Sequence, residues 1–207
     1  MWRKGQVEMI SVVLISGIII SLVGFAYMFG MPLIEKRSTI TQYGSAVKFM
    51  EDLDKKIVEM ARSCTTQKGC DEKLTAPLSG QIRVDQKANS ITYEFPVSQP
   101  LLTKDVIMLN TINPGEFAPY GETPGKLTME GYSVPGAGYR LKFVLHYREL
   151  YNEEQKKSYK ISLAPESPQA ANGTSTINFY YAGTTRIQDA GYSQYDLLAS
   201  NITMNIL

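Results

Sequence analysis

Apolar residues fall into three regimes along the chain. From Met9 to Met31, MISVVLISGIIISLVGFAYMFGM, 23 residues pass without a charged side chain. A helix of that length, rising about 1.5 Å per residue, crosses a hydrocarbon core roughly 30 Å thick. A helix of a soluble core would keep a polar face, and this run carries only scattered Ser and Gly. It predicts a transmembrane helix.

From Ile34 the pattern becomes amphipathic. Ile40, Tyr43, Val47, Met50, Ile57 and Ala61 recur at helical spacing, with Asp54 interrupting the stripe. Opposite them, Glu51 to Lys55 and Asp52 to Lys56 are i,i+4 pairs in the favourable order. The two regimes join into one long helix, from Glu8 to Arg62, bent near Pro32. There the missing N–H removes a hydrogen bond, and the rod kinks or ends. Within the first half Gly17, Ser21 and Gly24 stack on one face, and Ala26 with Gly30 forms another small pair. Such spacing lets helices approach closely in lipid or in a bundle, though Gly is also simply common in membrane helices.

From Thr75 the period drops to two. Gln81–Val84 and Ile91–Phe95 flank Asp-Gln-Lys-Ala-Asn-Ser and read as a hairpin, closed by Pro96 and Pro100. Asn113–Gly125, with three Pro and three Gly, reads as a loop. The clearest strand is Tyr139–Arg148, with Tyr139, Leu141, Phe143, Leu145 and Tyr147 on one face. Arg140, Lys142, Val144, His146 and Arg148 take the other. Tyr159–Leu163, Ile177–Tyr181 and Ile202–Ile206 repeat the alternation. One apolar and one polar face per strand indicates an antiparallel sheet. The predicted fold is therefore α+β: a long bent N-terminal helix, membrane half (9–31) plus amphipathic half (34–62), packed on an antiparallel sheet or sandwich head over 63–207.

Charge and cysteine narrow the setting. The net charge is +1, and from Ser63 onward 13 Lys/Arg face 14 Asp/Glu, so no basic field points to nucleic acid. A short tail before the apolar run and a large domain after it favour a cytoplasmic N-terminus and an extracellular head, since large domains translocate largely regardless of charge. Cys64 and Cys70 are the only cysteines. As a disulfide they would add on the order of 2 kcal/mol, and such bonds persist outside the cytoplasm; free thiols are the alternative. Two Cys without a nearby His cannot fill a zinc shell. Asn172-Gly-Thr and Asn201-Ile-Thr fit the N-glycosylation pattern, Asn172 in a plain loop and Asn201 at the edge of the last strand.

Catalytic chemistry is not legible. His146 is the only histidine, and it sits on a polar strand face. No Gly-x-Ser-x-Gly, Walker-type loop or metal-spaced His or Cys pair occurs. No catalytic residue, metal or cofactor is expected, and the chain is not read as an enzyme. Arg140, Lys142 and Arg148 would form a basic patch if strand alternation holds.

The N-terminal edge of the apolar run is more specific. Arg3-Lys4-Gly5-Gln6 directly precedes it, and a secretory signal would have a shorter apolar core with a cleavage site after it. This arrangement resembles the class III signal of type IV pilins and archaeal pilin-like proteins, over about the first sixty residues. The resemblance implies cleavage by a prepilin peptidase between Gly5 and Gln6, on the cytoplasmic side, so that residues 1–5 are a leader and Gln6 begins the mature chain. It implies that the apolar helix serves as membrane anchor and filament core, with other pilin-like subunits and an assembly machinery as partners. Family members often carry Glu at the fifth mature position; Glu8 would be the third. Its role is then either to neutralise a neighbour's N-terminal amine or to sit at a helix N-terminus where the dipole favours it. The expected function is a structural subunit of a pilus-like surface filament, the head size pointing to a minor or adhesive pilin. The alternative is a single-pass extracellular binding module that does not polymerise, and that reading predicts a concave or aromatic patch on the head. A membrane-anchored enzyme would need a cleft with convergent polar groups.

Overall fold

The computed structural model describes residues 3–64, 70–100, 106–111, 113–166, 170–173 and 175–207, with side chains described from Ser11 onward. One helix, α1 (Arg3–Ser63), runs through Pro32 without ending there. Among the described residues twelve strands follow: β1 (Asp71–Thr75), β2 (Gly80–Asp85), β3 (Ser90–Val97), β4 (Ile107–Met108), β5 (Phe117–Pro119), β6 (Gly125–Val134), β7 (Gly138–Tyr147), β8 (Glu149–Asn152), β9 (Lys157–Pro165), β10 (Ala170–Gly173), β11 (Thr176–Ile187) and β12 (Asp196–Ile206). The architecture is α+β, as the change of period predicts.

The strands form two six-stranded sheets, one in the order β1-β11-β12-β9-β8-β5 and the other β10-β2-β3-β7-β6-β4. Most pairs are antiparallel, but β12 with β9 and β5 with β8 run parallel. The periodicity of single strands carries no information about such pairing. Both sheets and the second half of α1 share one core, in which Phe143, Phe179 and Ile202 are fully buried. The chain passes from the second sheet to the first at Arg148, between β7 and β8. That is how a strand turns a corner between two sheets.

The buried seam of α1 is Thr39, Tyr43, Ala46, Met50, Leu53, Ile57, Met60 and Cys64, all buried except the half-buried Tyr43. Its spacing alternates four and three without a break, the 3.5-residue repeat of a tight helix seam. Tyr43, Met50 and Ile57 of the sequence stripe lie on this seam, whereas Ile40, Val47 and Ala61 fall one position off it. Ile40 is 49% exposed, whereas Thr39 is buried, its hydroxyl donating to Glu35 O at 3.0 Å. A small polar residue can hold a core position when the preceding turn satisfies it. The expected i,i+4 ion pairs are also absent among the described residues, and Lys56 pairs with Glu72 of β1 instead. The helix touches both sheets, β11 and β12 of the first and β7 of the second; on the second, Tyr43 lies against Phe143 (ring centroids 6.2 Å) and Phe49 edge-on to Tyr93 (5.2 Å).

Asn89, in the β2–β3 turn, joins the sheets. Its Nδ2 donates to Tyr147 O (2.9 Å) and Ile161 O (2.7 Å), and its Oδ1 accepts from Leu163 N (2.9 Å). Tyr147 N donates to Asn89 O at 3.0 Å. The residue is buried with φ at 48°, a left-handed conformation that Asn tolerates better than most.

Candidate functional site: the uncovered helix and the far end of the head

Every side chain from Ser11 to Phe29 is exposed, including Val12, Val13, Ile20, Leu22, Phe25 and Phe29. It is the one helix among the described residues long and apolar enough to cross a membrane. Two of its hydroxyls are satisfied within the helix, Ser16 donating to Val12 O and Ser21 to Gly17 O, each at 2.8 Å. That is what a helix needs where no water can serve. Gly17 and Ser21 open a shallow notch walled by Val13, Leu14, Ile18, Leu22 and Phe25. A Cβ at Gly17 or Gly24 would meet nothing within 4 Å, so this surface is open to a neighbour. Arg3, Lys4, Gly5, Gln6 and Glu8 lie in the first turns of α1, where side chains are outside the described set. Met1 and Trp2, of the expected leader, lie outside the described residues.

Contacts along α1 order the head from near to far. Gln99 donates to Glu35 (3.2 Å), Tyr43 meets Phe143, and Phe49 meets Tyr93. Asp54 lies against Gly125, and Val58, Ala61 and Arg62 line one cleft with Tyr120 and Tyr159. The last group is therefore about 40 Å along the helix axis from Ile34, at the end of the head remote from the apolar run.

Two aromatic groups mark this far end. On one side Tyr192 stacks on Tyr151 (centroids 4.1 Å, 16° between planes), with Phe117 and Tyr195 at 5.3 and 5.9 Å. The segment bearing Tyr192 is costly to build, because Asp189, Ser193 and Gln194 all have positive φ. It is held by the Tyr192 N–H, which donates to the buried Glu149 carboxylate and to Ser158 Oγ. Gly191 is required for that approach, since a Cβ there would fall 2.6 Å from Ser158 Cβ and Oγ. Gly191→Ala is expected to displace the segment and cost about 1–2 kcal/mol, read as a lower Tm of the full chain in detergent. An unchanged Tm would show that the segment floats free of Glu149.

On the other side Tyr120 and Tyr159 (5.1 Å) stand over a cleft of about 490 Å³ between the last turns of α1 and the inner face of β8, β9, β11 and β12. Its walls are Val58, Ala61, Leu150, Ile161 and Leu198; Thr184 and Ser200 supply hydroxyls and Arg62 supplies positive charge, while the Lys160 side chain alternates to the other face of β9, toward Glu116 and His146. Among the described residues no carboxylate lines the cleft. No family model, curated protein or solved structure matches this chain.

The remaining sequence candidates are placed as follows. Cys64 and Cys70 are paired as a disulfide, Cα atoms 6.1 Å apart, tying the end of α1 to the start of β1. Asn172 lies exposed in the edge strand β10, not in a plain loop. Asn201 lies inside β12, not at a strand edge, and its amide donates to Gly183 O (3.2 Å) and Thr185 Oγ1 (2.9 Å). The basic patch does not form. Arg140 pairs with Glu94 at 2.8 Å, and Arg148 is 1% exposed. Arg148 donates to Asn113 O (3.2 Å), Thr123 O (3.0 Å) and Glu122 Oε2 (2.9 Å). The break between β7 and β8 takes Arg148 out of strand alternation, and its guanidinium fork pins the turn-rich segment. That segment, read as a loop, contains β5, whose three residues are too few for periodicity to reveal. His146 is half-buried, 3.3 Å from Glu116 Oε2, and burial lowers its pKa.

Proposed function

We propose that this chain is a structural subunit of a type IV pilus-like surface filament, cleaved after Gly5 and assembling through its apolar helix. The observation that carries the reading is the uncovered apolar surface of Ser11–Phe29, continuous in one helix with the turns of α1 buried in the head. An apolar surface of that extent requires lipid or other helices around it. In the first state α1 anchors the chain, N-terminus cytoplasmic and head extracellular. In the second, copies of α1 pack on one another, the Gly17–Ser21 notch admitting a neighbouring backbone. Arg3-Lys4-Gly5-Gln6 is placed where cleavage would release the anchor for that transfer, and a permanently anchored monomer needs nothing special there.

The second reading, a binding module that stays in the membrane, is favoured by the aromatic cleft at the far end of the head. The N-terminus of the mature protein separates the two. Mass spectrometry of membrane and sheared-surface fractions is expected to find a chain beginning at Gln6, abundant in the sheared material. Retention of Met1 with all protein in the membrane would overturn the filament reading.

A further inference from the structure

We propose that the cleft under Tyr120 and Tyr159 binds an acidic polysaccharide, a chain of pyranose rings bearing carboxylates. This goes beyond the filament reading and does not depend on polymerisation. A volume of about 490 Å³ lies within the range of sites that take small ligands or a short run of a polymer. Tyr120 is 63% exposed and presents a flat apolar body with a polar tip. A pyranose ring has the matching form, with C–H bonds on its face and hydroxyls on its edge. Ser200 both donates and accepts, as sugar hydroxyls do, and Thr184, bonded to the Tyr181 hydroxyl, keeps acceptor capacity beside it. A proline-rich peptide, the other common guest of aromatic grooves, offers mainly acceptors.

Charge sets the choice within sugars. Arg62 lines the cleft with no carboxylate among the described lining residues, and a guanidinium fork matches a carboxylate in plane. A neutral sugar leaves that charge unused. The position agrees, since the cleft opens at the end of the head farthest from the apolar helix and hence farthest from the surface that carries it.

The test uses the full chain in a detergent without a sugar headgroup. A galacturonic acid hexamer, the neutral galactose hexamer and a glutamate hexapeptide are titrated by calorimetry. The galacturonate is expected to bind at least about tenfold more tightly than either other probe, more weakly as salt rises. Tyr120→Ala is expected to weaken it about tenfold, in the range of a lost stacking contact, with no change in Tm. Tyr120→Phe keeps the ring face and should retain binding, and Arg62→Gln should weaken it and flatten the salt dependence. No saturable binding of the galacturonate, equal binding of the glutamate peptide, or indifference to Tyr120→Ala would each overturn the proposal. The N-terminal residue of the mature protein is unaffected by any of these results, so the two readings fail separately.

Discussion

Asn89→Ala is expected to be the most damaging single substitution in the head, costing about 4 kcal/mol. Three hydrogen bonds to the Asn89 side chain cross from the β2–β3 turn to β7 and β9. Truncation would leave two carbonyls and one N–H buried without partners, at about 1 kcal/mol each or more. Alanine must also hold the positive φ of 48°, at roughly a further 1 kcal/mol. For a chain of this size the loss corresponds to a Tm lower by about 10 °C. Asn89→Gly should recover only the backbone part, about 1 kcal/mol. Asn89→Asp should do no better than alanine, because a carboxylate oxygen would then face the Tyr147 and Ile161 carbonyls. Thermal melts of the three variants decide the matter. A loss below about 1 kcal/mol for Asn89→Ala would mean that the sheets are held together without this link.

The importance of Asn89 is invisible in the chain as written. Asp-Gln-Lys-Ala-Asn-Ser reads as a turn because its residue types favour one, and the turn forms, with Ala88 N donating to Asp85 Oδ1 at 2.9 Å. What the turn touches, 58 and 72 residues away in sequence, is decided by how two sheets meet. The long features are legible for the opposite reason. A 23-residue uncharged run and ten-residue alternations such as β7 are periodic over enough positions to outweigh chance. The errors fall where periodicity breaks, at Arg148 on the corner, at the three residues of β5, and at Thr39, a polar residue on the buried seam.

The candidate sites divide in the same way. The apolar helix and its Gly17–Ser21–Gly24 face are sequence-local and were legible. The cleft is assembled from α1, the segment after β5, β8, β9, β11 and β12, and no spacing joins Arg62 to Tyr120, Tyr159 and Ser200. The available signal was compositional: 11 of the 13 tyrosines fall from Tyr93 onward. That enrichment marks aromatic surface somewhere on the head without saying which rings converge.

Asp54, which interrupts the sequence stripe, carries the second large expectation. Leu53 fills the seam position, and Asp54 flanks it, its carboxylate pressed on Gly125, which pairs with Tyr147 across β6 and β7. A Cβ at Gly125 would fall 2.2 Å from Asp54 Oδ1 and 2.7 Å from its Cγ. Gly125→Ala is therefore expected to cost about 3 kcal/mol, the upper end for overpacking a core. In an Asp54→Ala background the obstructing carboxylate is gone and the cost should nearly vanish, a coupling that a double-mutant cycle reads directly. The same carboxylate should set a pH dependence. Burial raises its pKa above the usual 3.8, only partly offset by the nearby Tyr147 hydroxyl, while Oδ1 and that hydroxyl lack a hydrogen bond of good geometry. A raised carboxyl favours the folded state fully below the unfolded pKa, and that contribution is lost as pH rises through the folded value. Asp54→Asn should thus stabilise the chain at pH 7, by about 1–3 kcal/mol for a buried group relieved of an uncompensated charge. The advantage should shrink as pH falls toward 4. Parallel Tm–pH curves for the two proteins would show that Asp54 is solvated after all. If the curves diverge as expected, the acid is tolerated for its fit: a carboxylate against a bare Cα allows α1 only one axial position on the sheet, and that position fixes how far the apolar half extends beyond the head.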